Sequence, residues 1–277
     1  MPELPEVETV VRGLAARMTR HRLERLDLNR GDLRWPIPPG LKAKTEGRTI
    51  DALTRRAKYI VIHLDDGGAL LMHLGMSGRM MIFERGSNQP PEPHDHVVFT
   101  LDDGTSIRFN DPRRFGMLDY VRREALGQHK LLAGLGPEPL GPEFTAAHLY
   151  AALKGKRTPL KAALLDQQVV AGLGNIYVSE ALYHAGLSPR RLARTVTPER
   201  AERLVAAIKS VLQRAIAAGG SSLRDYVQAS GELGYFQHEW AVYGREGERC
   251  PGCDCKSGIR RIVQSGRSTF YCAKRQR

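Results

Sequence analysis

KYIVIHLDDGGALLMHLGM, residues 58–76, holds two apolar runs separated by an Asp-Asp-Gly-Gly turn, and this pairing decides the architecture of the first half of the chain. Short apolar and β-branched runs broken by such turns form antiparallel hairpins. The same grammar continues in HVVFTL (96–101) and SIRFN (106–110), joined by a second Asp-Asp-Gly turn. From residue 22 to about 122 the pattern is strand and turn, with no interleaved helices. It predicts an antiparallel β-sandwich or barrel, not an alternating βαβ sheet.

Working outward, the periodicity becomes helical on both sides. Upstream, Val7, Val10, Val11, Leu14 and Met18 recur at helical spacing after Pro5. Proline suits a first turn, and Glu6 and Glu8 suit its positive end, so a helix is expected almost from the chain terminus. Downstream, LGPEPLGP (135–142) reads as a linker. Helices are expected at about 145–153, 159–166, 174–185 and 198–217, the last with Thr197 as N-cap and Pro198 in its first turn. Residues 221–243 read as a mobile polar loop before a cysteine-rich tail. The class is α+β, with domains at 1–134, 143–243 and a small hairpin at 244–277.

The 277 residues include 42% hydrophobic and 26% charged side chains, enough to bury a real core and too apolar for disorder to dominate. The formal net charge is +12, of which +6 lies in residues 244–277, and this favours an anionic partner such as nucleic acid. No run approaches the ~20 apolar residues of a membrane span, and MPELPEVE opens no signal-peptide pattern. Cys250, Cys253, Cys255 and Cys272 are the only cysteines and cluster near the C-terminus. That spacing points to a metal knuckle in a reducing cytoplasm, not to a disulfide framework.

The terminus carries its own chemistry. Proline at position 2 normally permits removal of Met1, leaving a secondary α-amine. With a pKa of about 7.7–8 for a free α-amino group, a fair fraction is neutral at physiological pH. A secondary amine that attacks a sugar C1′ gives an iminium ion, which stores the electrons for later eliminations. Glu3 and Glu6 flank it with carboxyl groups for proton transfer and for stabilising an oxocarbenium-like centre.

Six segments then occur in one order: MPELPEVETV (1–10), RRAKY (55–59), LGMSG (74–78), NDPRRFG (110–116), GLGNIYVSEAL (172–182) and GRSTFYC (266–272). Together they resemble the formamidopyrimidine-DNA glycosylases, over essentially the whole chain. The resemblance implies a bacterial base-excision-repair enzyme, working in the cytoplasm with the chromosome as a monomer. It would excise 8-oxoguanine and ring-opened purines from duplex DNA and cut the strand by β,δ-elimination. It also implies a helix-two-turns-helix domain and a zinc hairpin.

Residue by residue, the resemblance makes Pro2 the nucleophile, Glu3 the proton donor and Glu6 its support. Lys58 would assist elimination and grip a phosphate; the plain alternative is a surface lysine. Met76, Arg113 and Phe115 would fill the hole left by the flipped base; apart from the resemblance, Met76 and Phe115 read as core residues. Apolar wedges and a base-pairing arginine suit that task. His73, His94, Arg157 and Asn175 would contact the DNA backbone, Asn175 at a glycine-rich helix start fitted to phosphate. His94 and His96 have no third ligand nearby and do not read as a metal site. Glu180 matches a supporting glutamate, the alternative being a solvated helix position. Arg267 would grip phosphate and help expel the sugar. Residues 221–237 would close over the damaged base. Met76, Arg113 and Phe115 also argue against the endonuclease VIII branch, which typically begins PEGPE where this chain has PELPE. Loss of Pro2, Glu3 or Lys58 would mark a lesion-binding protein without catalysis, and all three are present.

One departure stands out. A zinc ribbon pairs two C-x2-C units about 15–20 residues apart. Cys250 and Cys253 supply the first, and Cys272 opens the second, but its partner position holds Arg275. Cys255 is the expected fourth ligand; three thiolates with a water is the alternative.

Overall fold

The computed structural model describes residues 1–221, 229 and 233–277. The expected base-covering segment therefore falls largely outside the described residues, at 222–228 and 230–232. By internal contacts the chain divides into two compact units, residues 1–133 with 216–237, and residues 134–215 with 238–277.

In the first unit helix α1 spans Leu4–Met18, with Pro5 in its first turn as expected. Glu3 and Glu6 close a capping box around the first free amides, with Glu3 N–H donating to Glu6 Oε2 at 2.9 Å. The predicted stripe is buried, and Val7, Val10, Val11, Leu14 and Met18 pack into the strand core. Burial of each such side chain contributes about 1.5–3 kcal/mol, so the helix and its acidic terminus are held firmly on the sheets.

Strands follow at β1 (Leu23–Leu28), β2 (Ile50–Arg56), β3 (Tyr59–Leu64), β4 (Gly68–His73), β5 (Arg79–Phe83), β6 (Asp95–Leu101), β7 (Ser106–Asn110) and β8 (Met117–Arg122), with a short helix α2 at Leu41–Thr45. They form two four-stranded sheets in the orders β1-β6-β7-β5 and β2-β3-β4-β8, with every pairing antiparallel. No strand is shared between the sheets, which makes the unit a sandwich and not a barrel. Leu23 and Leu26 of β1, Ile60 and Ile62 of β3, and Phe99 and Phe109 of β6 and β7 share one core with α1. The expected strand over 69–76 stops at His73. Gly75 has φ +65° and leaves the pleat, so Leu74–Met76 turn out of the sheet.

The second unit holds α3 (Ala146–Leu153), α4 (Leu160–Leu165), α5 (Asn175–His184) and α6 (Pro198–Ala217), close to the expected spans. Thr145 Oγ1 caps α3 through the His148 amide, and Thr197 Oγ1 receives the Arg200 amide at 3.4 Å at the start of α6. The proline-rich segment 135–142 is hydrogen-bonded to this unit, through Gly136 N–H to Gln167 O and Ala171 N–H to Pro137 O. A two-stranded hairpin, β9 (Arg260–Gln264) and β10 (Arg267–Tyr271), closes the chain. Its turn residues Ser265 and Gly266 both have positive φ, the twist a tight hairpin needs. Among the described residues no helix is long and apolar enough to cross a membrane.

Candidate active site and four-cysteine centre

In the first unit Pro2, Glu3 and Glu6 are all buried where α1 begins. With Met1 attached, the Pro2 nitrogen is an amide; its removal makes it a secondary amine beside two carboxyls. Glu6 is used twice, since its Oε1 also accepts the Ser221 amide at 2.8 Å. That bond ties the terminus to the first residue of the expected base-covering segment.

Lys58 is only 7% exposed, which corrects the surface-lysine alternative. The preceding residue, Ala57, has φ +53°, an uncommon conformation outside glycine. Arg55 holds it there. Its NH1 donates to the Ala57 carbonyl at 3.0 Å while its Nε pairs with Glu8 of α1 at 2.9 Å. A mostly buried ion pair thus links the helix that follows Pro2 to the turn that presents Lys58.

His73 ends β4, its ring 4.9 Å from that of Tyr59. Burial, the Lys58 ammonium and the Arg34 guanidinium push its pKa down to about 4. Nδ1 lies 2.9 Å from the Gly75 amide and accepts from it, so the neutral ring carries its hydrogen on Nε2, as a donor. A group whose folded pKa lies below its unfolded value binds fewer protons when folded. Its contribution to stability is complete above about pH 6.5 and is lost as pH falls toward 4, with a total of about 3 kcal/mol. Nitrogen-detected NMR should show His73 titrating near 4; a midpoint near 6.5 would contradict this environment.

Met76 and Phe115 are 38% and 41% exposed, so neither is a core residue. The Arg113 guanidinium stacks 5.0 Å from the Phe115 ring centroid. Their two loops meet backbone to backbone: a Cβ on Gly75 would lie 2.4 Å from the Phe115 carbonyl carbon. Asp111 organises the junction. Fully buried, it accepts from Ser77 Oγ and from the Gly116 amide, each at 2.7 Å. Asp111 and Ser77 were missed from sequence, although an Asp before a proline in NDPRRFG was a turn signal. His94 is exposed and its main-chain carbonyl accepts the Asp111 amide. Its neighbour His96 is buried, with Nε2 3.0 Å from the Asp111 carbonyl, which agrees with a structural histidine.

In the second unit Asn175 has partners within the protein. Its side-chain nitrogen donates to the Ser268 carbonyl at 2.9 Å and to the Tyr243 hydroxyl at 3.3 Å, so both hydrogens are engaged within the protein. Lys161, buried and also missed from sequence, donates to the same Ser268 carbonyl at 2.9 Å and to Thr269 Oγ1 at 2.6 Å. Together they hold the strand that begins with Arg267, whose own side chain is exposed. Glu180 is 1% exposed, which removes the solvated-helix alternative. Its carboxylate accepts three consecutive amides, from Ala241, Val242 and Tyr243, at 2.8–2.9 Å. Burial pushes its pKa up, while the three donors pull against that shift. Arg157 is exposed on the turn between α3 and α4.

The four cysteines converge, with all four Sγ atoms within 4.8 Å of one another. Cys253 and Cys255 each lie 3.5 Å from Cys272 Sγ, far beyond a disulfide bond. Zinc–sulfur bonds of ~2.3 Å in a tetrahedron place sulfurs about 3.8 Å apart, so the donor set fits a structural zinc. Arg275 is turned elsewhere. Its guanidinium lies 4.9 Å from the Tyr183 ring centroid, and NH1 donates to the Gly252 carbonyl between the first two cysteines.

An acidic, buried chain terminus on a β-sandwich, with a helical unit and a cysteine hairpin, places the molecule among the bifunctional DNA glycosylases and AP lyases. Residues 1–118 match the formamidopyrimidine-DNA glycosylase N-terminal domain, and residues 135–227 match its H2TH domain. The formamidopyrimidine-DNA glycosylase of Acidiphilium cryptum is 59% identical, the alignment covering 100% of both chains. A Lactococcus lactis Fpg mutant bound to Fapy-dG-containing DNA superposes with a TM-score of 0.90 at 34% identity, over 100% of both chains. MutM in complex with carbocyclic 8-oxo-G-containing DNA gives 0.88 at 34%, again over 100% of both. This chain belongs to the formamidopyrimidine-DNA glycosylase family.

Proposed function

We propose that the protein excises oxidised purines, 8-oxoguanine and formamidopyrimidines among them, from duplex DNA and then cuts the strand, through a Schiff base on Pro2. The observation that carries this reading is the buried Pro2 beside the Glu3–Glu6 capping box. Once Met1 is removed, the Pro2 amine attacks C1′ and the glycosidic bond breaks. The base leaves with a proton, and Glu3 is the group placed to move protons to the sugar. Opening of the sugar ring gives the iminium ion. Loss of a C2′ proton expels the 3′ phosphate, and a second elimination expels the 5′ phosphate. Lys58 and Arg267 stabilise those departing phosphates.

Met76, Arg113 and Phe115 occupy the space of the flipped base; their exposure, and the stacking of Arg113 on Phe115, support that role. His73 offers a neutral Nε2 donor to the DNA backbone, with His94, Arg157 and the start of α5 at Asn175 as further contacts. Glu6 and Glu180 act by holding backbone amides in place. Zinc is held by Cys250, Cys253, Cys255 and Cys272; when bound it supplies structure to the hairpin and no chemistry.

A labelled duplex with one 8-oxoguanine tests the reading. The expected product is a one-nucleotide gap with phosphate on both ends. A released base with the abasic strand left intact would contradict the lyase half, and an untouched duplex would contradict both.

A further inference from the structure

Between α5 and α6, Ser188, Arg190, Arg191, Leu192 and Thr195 line an open cleft of about 440 Å³. Its wall is fixed to the turn before α4, through Leu160 N–H to Arg191 O at 2.6 Å and Ala193 N–H to Thr158 O at 2.9 Å. Arg191 reaches across the cleft and its NH1 donates to Thr195 Oγ1 at 3.3 Å. Its Nε is shielded from solvent and has no hydrogen-bond partner. Arg200, in the first turn of α6, donates to the Thr195 carbonyl at 3.2 Å.

Two guanidiniums therefore meet around one threonine. Among the described residues neither forms an ion pair with a carboxylate. Glu199 feels the charge of Arg200, but its carboxyl is hydrogen-bonded to the Thr197 side chain. Burial, and then the like charge of Arg200, hold the Arg191 pKa below its ordinary value. A partly buried cation with a like-charged neighbour and an unused donor is costly unless an anion completes it.

We propose that this cleft binds a phosphate oxyanion, which accepts from the terminal guanidinium nitrogens of Arg191, beside Thr195, with Arg200 and Arg190 supplying charge. A planar fork pairs bidentately with oxyanions and not with chloride, and the neighbouring hydroxyl and second guanidinium offer donors for the third oxygen that a phosphate has and a carboxylate lacks. The phosphate is either free in solution or a phosphodiester of the DNA backbone away from the lesion. The site lies in the second unit and uses none of the residues proposed for the chemistry at Pro2, so the inference does not depend on the function proposed above.

The test is a ¹H–¹⁵N spectrum of arginine Nε–H groups in the full chain. Inorganic phosphate should move the Arg191 resonance saturably, while chloride at equal ionic strength should not. Arg191→Gln and Thr195→Val should each weaken phosphate binding, Arg191→Gln about tenfold or more, with excision of the lesion base unchanged at saturating DNA. The Thr195 variant keeps the test decisive if the Arg191 variant folds poorly. Undamaged duplexes of two lengths separate the sources. A shift with the longer duplex alone assigns the site to the DNA backbone, and a shift with inorganic phosphate alone assigns it to a soluble ligand. No shift with phosphate or DNA, or an equal shift with chloride, overturns the proposal.

Discussion

Cys255→Ser is expected to lower zinc affinity by at least a hundredfold and to weaken DNA binding, although Cys255 is not itself proposed to contact DNA. Apparent zinc-binding energies of about 10–16 kcal/mol shared among four thiolates give about 3 kcal/mol for each, which sets the estimate. A two-stranded hairpin cannot hold itself together without such help. Here it also carries Arg267 and packs Cys272 and Ile259 against Tyr183 and Val242. X-ray absorption should count four sulfur neighbours in the parent protein and three in the variant. Unchanged sulfur coordination and zinc content would restore the three-thiolate site. Arg275 gives no support to that alternative, because its guanidinium is already committed to Tyr183 and the Gly252 carbonyl.

Glu180→Ala should be the most destabilising single change in the helical unit. It strands three N–H groups, the buried ones of Ala241 and Val242 and the partly buried one of Tyr243. An unsatisfied buried donor costs about 1–3 kcal/mol, so the total is of the order of 5 kcal/mol. The effect should spread. Tyr243 accepts from Asn175 and stacks 5.2 Å from Phe270 of the hairpin strand, while Asn175 holds the carbonyl next to Arg267. Glu180→Gln keeps one acceptor oxygen and should recover part of the loss. Urea unfolding measures both; a cost below about 1 kcal/mol for the alanine variant would show that the three amides have other acceptors.

These two sites differ in how far they could be read from sequence. Cys255 was legible because ligand type and spacing are local, and only the substitution at Arg275 left its role open. α6 was placed to the residue, since Thr197, Pro198 and the Gly219-Gly220 pair punctuate it. Glu180 was legible as a position in a motif, but not as a buried acceptor. Its partners lie more than sixty residues away, and a helical pattern carries no information about what caps its side chain. The same limit hid Arg55, paired with Glu8 across forty-seven residues, and Asp111, which joins two loops that sequence treats separately. The internal partners of Asn175, the Ser268 carbonyl and the Tyr243 hydroxyl, were not legible, because they come from segments 68 to 93 residues away. Strand β4 was overrun for a local reason: the apolar pattern continues through Met76, and only the positive φ at Gly75 ends it.

The account rests on an amine at Pro2, and borohydride trapping measures it directly. The processed chain, incubated with an 8-oxoguanine duplex and borohydride, should become covalently joined to DNA, and peptide mapping should place the adduct on Pro2. A chain shown by mass spectrometry to retain Met1 has only an amide nitrogen at that position and should yield no adduct there. Equal trapping by the Met1-bearing chain, or an adduct mapped to Lys58 in the processed one, would contradict the mechanism.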